Sequence, residues 1–306
     1  MNLFYYSEGA QLLVMSYEYG VNKVVLNEVI LYMDMNRYQQ AIIKLEQLLS
    51  EEPNDGSLLF LMANCYYYLN SYSEATEYCR ESMANGFSAQ QCNYLLARIY
   101  MDTEEFVKSE EHFLEALRIN PSEASALAAY GMLMLKCGHE KKASALMDEA
   151  MRIDPENEAV LQYKFLYYLL YENKNAQLNI LQKYLNNSSS EVRKLIKIGV
   201  YNLHNKNVRE ARENFRQAFL LEPTNHDLLM ILEKLDKECH WVFFPNRFVK
   251  WPALVWVVFF IFIIVGSNFI DSNILVVIVL LYILLVIYTW VSPLVYKVII
   301  RVNRKI

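Results

Sequence analysis

The chain is poor in the residues that build compact catalytic sites. Its 8 glycines stand singly, so neither a G-x-x-x-x-G-K-[ST] nor a G-x-G-x-x-G phosphate loop is present. There is no H-E-x-x-H and no G-x-S-x-G. The five cysteines (Cys65, Cys79, Cys92, Cys137, Cys239) form no C-x-x-C pair, which points to free thiols in a reducing compartment and excludes a disulfide scaffold. Cys137-Gly138-His139 and Cys239-His240 each offer two ligands where a closed zinc site takes four. The first twenty residues hold Glu8 and Glu18 and no base, unlike a secretory leader. These absences predict no enzyme, no catalytic residue, no cofactor, no metal and no small-molecule substrate.

Charge is unevenly spread. Of 34 acids and 29 bases, residues 241–306 hold one acid and six bases, which leaves 33 and 23 for residues 1–240. An acidic stretch near −10 is followed by a very apolar end near +5. This excludes a strongly basic nucleic-acid binder and a disordered chain.

Proline supplies the first periodicity. Pro53, Pro121, Pro155 and Pro223 are separated by 68, 34 and 68 residues. A 34-residue register starting near 22, 56, 90, 124, 158 and 192 places a mostly small residue at position 8 (Val29, Ala63, Ala97, Gly131, Phe165, Gly199). Position 20 reads Ala41, Ala75, Ser109, Ala143, Gln177 and Ala211, and position 27 reads Leu48, Ser82, Ala116, Ala150, Tyr184 and Ala218. Small residues at 8 and 20 let two helices approach closely, and aromatics at 17 (Tyr38, Tyr72, Phe106) fill the wedge between them. Proline at 32 stops the second helix. Such a unit cannot bury its apolar face alone, so stacked neighbours must do it. The unit at 158–191 departs most, with Lys174 and Gln177 where an aromatic and an alanine are expected.

The runs NRYQQAIIKLEQLLSEEP, EEFVKSEEHFLEALRINP, HEKKASALMDEAMRIDP and NVREARENFRQAFLLEP resemble the tetratricopeptide repeat (TPR) family over about 22–225. The expected fold is all-α: a TPR solenoid of six helix pairs, an N-terminal capping helix over 1–21 and a C-terminal one over 226–240. The resemblance implies a scaffold whose concave groove binds a protein or peptide. Carried over by repeat position, that groove holds Phe60, Asn64, Tyr67, Tyr68, Tyr94, Arg98, Met101, Met132 and Leu135. The other reading of these residues is burial between units. Leu26 and Ile30 stand where the family's carboxylate-clamp variant needs Asn and Lys, so chaperone tails are not expected partners.

The end of the chain reads as a two-span membrane hairpin over 251–291. Residues 251–270 and 274–291 carry no charge and are roughly 30 and 27 Å long as helices. A basic, aromatic juxtamembrane segment (241–250) precedes them, and a basic amphipathic tail (292–306) follows. That tail lies in the membrane plane or simply overhangs the second span. Arg247, Lys250, Lys297, Arg301, Arg304 and Lys305 flank the spans and predict contact with anionic lipid, with both termini and the solenoid cytoplasmic. The resulting expectation is a membrane-tethered scaffold or adaptor. The alternatives are a peptide-sensing regulator and an accessory subunit of a transport or secretion complex.

Overall fold

A computed structural model describes residues 21–171, 173–188, 190–223, 225–243 and 272–303. The expected N-terminal cap therefore lies outside the described residues, apart from the start of the first helix.

The architecture is all-α. Six antiparallel pairs follow one another: α1 (Val21–Asp34) with α2 (Tyr38–Glu51), α3 (Gly56–Tyr68) with α4 (Tyr72–Ala84), and α5 (Ala89–Asp102) with α6 (Phe106–Ile119). Then come α7 (Ala124–Lys136) with α8 (Glu140–Ile153), α9 (Glu158–Leu170) with α10 (Lys174–Asn187), and α11 (Glu191–His204) with α12 (Val208–Leu221). A single helix α13 (His226–Cys239), a 3₁₀ turn (Trp241–Phe243) and α14 (Ser272–Asn303) complete the described chain.

Local chemistry sets the pairs. The residue between the helices of a pair is left-handed at Asn36, Asn70, Glu104, Gly138 and Lys206, the conformation that ends a helix by turning its last amides back. At Asn36 the two closing bonds are Asn36 N–H to Met33 O (3.0 Å) and Arg37 N–H to Tyr32 O (2.7 Å). Tyr38 and Tyr72 donate their hydroxyls to Asn36 Oδ1 and Asn70 Oδ1, so the wedge aromatic also fixes the turn. Second helices end two residues before Pro53, Pro121, Pro155 and Pro223.

Close approach explains the small positions. A Cβ on Gly199 would meet the Phe215 ring at 2.9 Å, and one on Gly131 would meet Met147 Cγ at 2.9 Å. Every residue at position 20 is fully buried, as are Ser82, Ala116, Ala150 and Ala218 at position 27. The buried hydroxyls are satisfied across the pairs: Ser82 donates to Gly56 O (2.6 Å) and Ser109 to Ala97 O (2.7 Å). The core is a run of clusters between successive pairs, without a single centre. Leu228, Leu232 and Leu235 of α13 close the last cluster over Phe215, while Leu229 is exposed.

The expected two-span hairpin is not found. Among the described residues no helix is long and apolar enough to cross a membrane. The first span, 251–270, lies outside the described residues. The second falls within α14. Two further differences are clear. Ser272 and Asn273, expected in a loop, begin α14, and Pro293, expected to separate span from tail, sits inside it. Proline costs the helix one backbone bond and need not end it when both sides are otherwise helical. The α14 helix rests on the 3₁₀ turn: Tyr288 donates to Val242 O (2.9 Å), the Tyr296 ring meets those of His240 and Phe243, and Val242 and Ser292 are fully buried.

Candidate protein-binding face

In pairs two to six the first helix is the more buried one, and the expected groove residues lie on these helices. Among them Arg98 of α5 is 3% exposed. Its guanidinium lies 4.5 Å from the Tyr67 ring centre, 5.6 Å from Tyr94 and 5.9 Å from Tyr68, the arrangement of a cation held on aromatic faces. Tyr67 donates to Asp102 Oδ2 at 2.6 Å, and Tyr68 stacks on Tyr38 with centres 4.8 Å apart. Burial pushes the Tyr68 phenol up, against the pull of Arg98 and Arg193.

A second polar centre belongs to pairs five and six. One oxygen of Glu158 accepts from Tyr184 (2.8 Å), Ser188 (3.0 Å) and Arg193 (2.8 Å). Lys197 lies beside it, 1% exposed, with its ammonium 5.4 Å from the Tyr184 ring centre and 5.7 Å from that of Phe165. Burial lowers the Lys197 pKa to about 7, with Arg193 adding to the effect and Glu158 opposing it. Lys164, also buried, pairs with the exposed carboxylate of Asp148 at 2.6 Å.

The first and last pairs meet. Asn36, in the turn of pair one, donates to both carboxylate oxygens of Glu222, at the end of pair six, each at 2.9 Å. Arg193 also acts on Asp34, whose carboxyl is raised by burial and lowered by that charge. A side-chain contact thus joins the two ends of the six-pair run.

Packing between neighbouring pairs decides where the expected groove residues lie. Phe60, Asn64, Tyr67, Arg98, Met101 and Met132 are buried, and Tyr68, Tyr94 and Leu135 are half-buried. Tyr67, Tyr68, Tyr94 and Arg98 form one cluster, and Met101, Met132, Leu135 and Tyr94 pack in the core between pairs three and four. Phe60 packs on Phe87 with centres 4.5 Å apart, and Asn64 donates to Phe60 O within its own helix. The carry-over by position missed Tyr163, Lys164, Lys197 and the Asn36–Glu222 contact. A lysine in a helical run reads as solvated, and nothing local marks a contact across 186 residues. Of the bases expected to contact lipid, Arg247, Lys250, Arg304 and Lys305 lie outside the described residues; Lys297 and Arg301 belong to α14, but their side chains lie outside them too.

A family model for anaphase-promoting complex (cyclosome) subunit 3 matches residues 34–116. The anaphase-promoting complex subunit 3 of Schizosaccharomyces pombe is 24% identical over 115 residues, which is 38% of this chain and 17% of that protein's length. Among solved structures, a tetratricopeptide repeat protein from Parabacteroides merdae aligns with a TM-score of 0.55 at 14% identity, covering 74% of this chain and 89% of its own. The APC/C hetero-tetramer Cut9–Hcn1 aligns with a TM-score of 0.55 at 13% identity, covering 76% of this chain and 46% of its own. Repeat spacing, buried small positions and these likenesses define the class: an all-helical solenoid of the TPR type. The match to subunit 3 is confined to the early pairs, so at the level of the particular protein the chain is similar to that subunit over 34–116.

Proposed function

We propose that this chain is a protein-binding scaffold tethered to a membrane by its C-terminal end, with the solenoid on the cytoplasmic side. One observation carries the tether. Val276, Val277, Leu280, Leu281, Leu284 and Ile287 of α14 are all more than half exposed, on a stretch (274–291) that has no charge. Apolar side chains exposed along one broad face of a helix over this length need a cover, and lipid is a cover of the right extent: eighteen residues rise about 27 Å. Basic residues on the outer flanks support the cytoplasmic side and contact with anionic lipid. Washing membranes at alkaline pH tests this. The full chain should stay with the bilayer and a chain ending at Phe243 should leave it; release of both contradicts the tether.

The proposed partner is a protein or peptide engaging the inner face through Tyr68, Tyr94 and Leu135, with Arg98 and Tyr67 behind them. No nucleic acid and no small-molecule substrate enters this reading. The first-to-last contact favours a second reading, a peptide-sensing regulator, because an inner face already filled by its own side chains admits a ligand only by loosening Asn36 from Glu222.

A further inference from the structure

A broad cleft lies near the C-terminal end of the solenoid. It has a volume of about 1070 Å³ and opens where pair six, α13 and the 3₁₀ turn meet. Four cations line it, Lys206, Arg209, Lys234 and Lys237, against two carboxylates, Glu210 and Glu238. All four cations are exposed, and none is ion-paired to a carboxylate among the described residues. The start of α12 adds to the positive end, since its N-cap residue Asn207 makes no side-chain capping bond and leaves first-turn amides open. Phe243 supplies an apolar wall, with the Lys237 ammonium 5.6 Å from its ring centre.

Position gives this basic cleft its meaning. The Phe243 ring also meets Tyr296 of α14, with centres 5.2 Å apart. Tyr296 lies five residues beyond Val291, where the charge-free run ends, or about 7 Å along the helix. Headgroups occupy roughly the first 5–8 Å outside the hydrocarbon. A helix that enters lipid at Val291 therefore holds the cleft at headgroup depth.

We propose that the cleft lined by Lys206, Arg209, Lys234 and Lys237 binds the headgroup of an anionic phospholipid, with Phe243 against its glycerol and upper acyl part. Net positive charge selects an anionic headgroup over a zwitterionic one, and the aromatic wall selects a lipid over a free phosphate. The proposal rests on the tether reading, because only a chain held at a bilayer meets lipid at this depth.

The test uses the full chain purified in uncharged detergent and examined by native mass spectrometry with phosphatidylglycerol or phosphatidylcholine of equal chain length. The wild type should retain phosphatidylglycerol at least about tenfold better. Combined Lys206→Gln, Arg209→Gln, Lys234→Gln and Lys237→Gln should abolish that preference, whereas Lys174→Gln with Lys183→Gln, exposed on α10 away from the cleft, should keep it. Water-soluble glycerol phosphate at the same concentration should not displace the lipid. A fourfold variant that keeps the preference, or displacement by glycerol phosphate, overturns the proposal. An alkaline membrane wash of the same two proteins separates the readings: wild-type release sinks the tether, while retention of both with unchanged lipid preference sinks only the cleft.

Discussion

Lys197 shows what a single residue can cost. It is a base held in the interior between Phe165 and Tyr184, with a folded-state pKa lowered to about 7 against about 10.4 in an unfolded chain. Below pH 7 both states carry the proton and the full burial cost is present. Between about pH 7 and 10 the unfolded chain binds more protons than the folded one, so stability rises with pH. The gain across that window is on the order of a few kcal/mol. Denaturant titrations of the full chain at pH 7 and pH 9 should show it, and Lys197→Met should flatten the slope; a wild type no more stable at pH 9 would count against a buried, depressed lysine. Nothing in the sequence singles this lysine out. The small residues at positions 8, 20 and 27 were legible because close helix approach tolerates little else, and Gly131, Gly199 and Ala143 behave accordingly. Asn36 and Asn70, by contrast, carry no such mark in the sequence, since a left-handed turn shows in the backbone and not in composition.

Among the elements, the fifth pair is the informative one. Its repeat spacing survived while its small residues did not: Gln177 replaces alanine and spends its amide on Tyr168 O (3.0 Å), and Tyr184 replaces a small residue and reaches Glu158. The pair has thus exchanged close packing for a polar anchor against pair six. Tyr184→Ala removes a ring that is 1% exposed and one of three donors to Glu158, a loss of about 3–5 kcal/mol by the usual cost of deleting a buried aromatic. Because each pair touches mainly its neighbours, the damage should stay local. Hydrogen exchange should show lost protection in α9, α10 and α11 with α3 to α6 unchanged; uniform loss along the chain would mean a single cooperative core instead. The existence of helix pairs was readable from period and proline, whereas the continuity of α14 through Pro293 was not, because proline marks a stop only when nothing carries the helix past it.

For the molecule as a whole, the contact between the first and last pairs sets what a partner can reach. Sequence periodicity fixes the pair but not the small rotation between pairs, and that rotation brings Asn36 onto Glu222, while packing between neighbouring pairs buries most of the expected groove. Glu222→Ala removes bonds worth about 0.5–1.5 kcal/mol each and should shift the population toward an open form. Small-angle scattering should then give a larger radius of gyration than wild type, together with faster labelling of Tyr68 and Tyr94. Equal scattering curves would show that the closure is held elsewhere.

The tether is tested most directly by a photoreactive probe confined to the bilayer interior, with its attachment sites mapped by mass spectrometry on the full chain in membranes. Labelling should concentrate within 274–291, on residues such as Leu280, Leu281 and Leu284, and spare the thirteen helices before it. A chain labelled nowhere in that stretch, or labelled equally along the solenoid, would contradict the account.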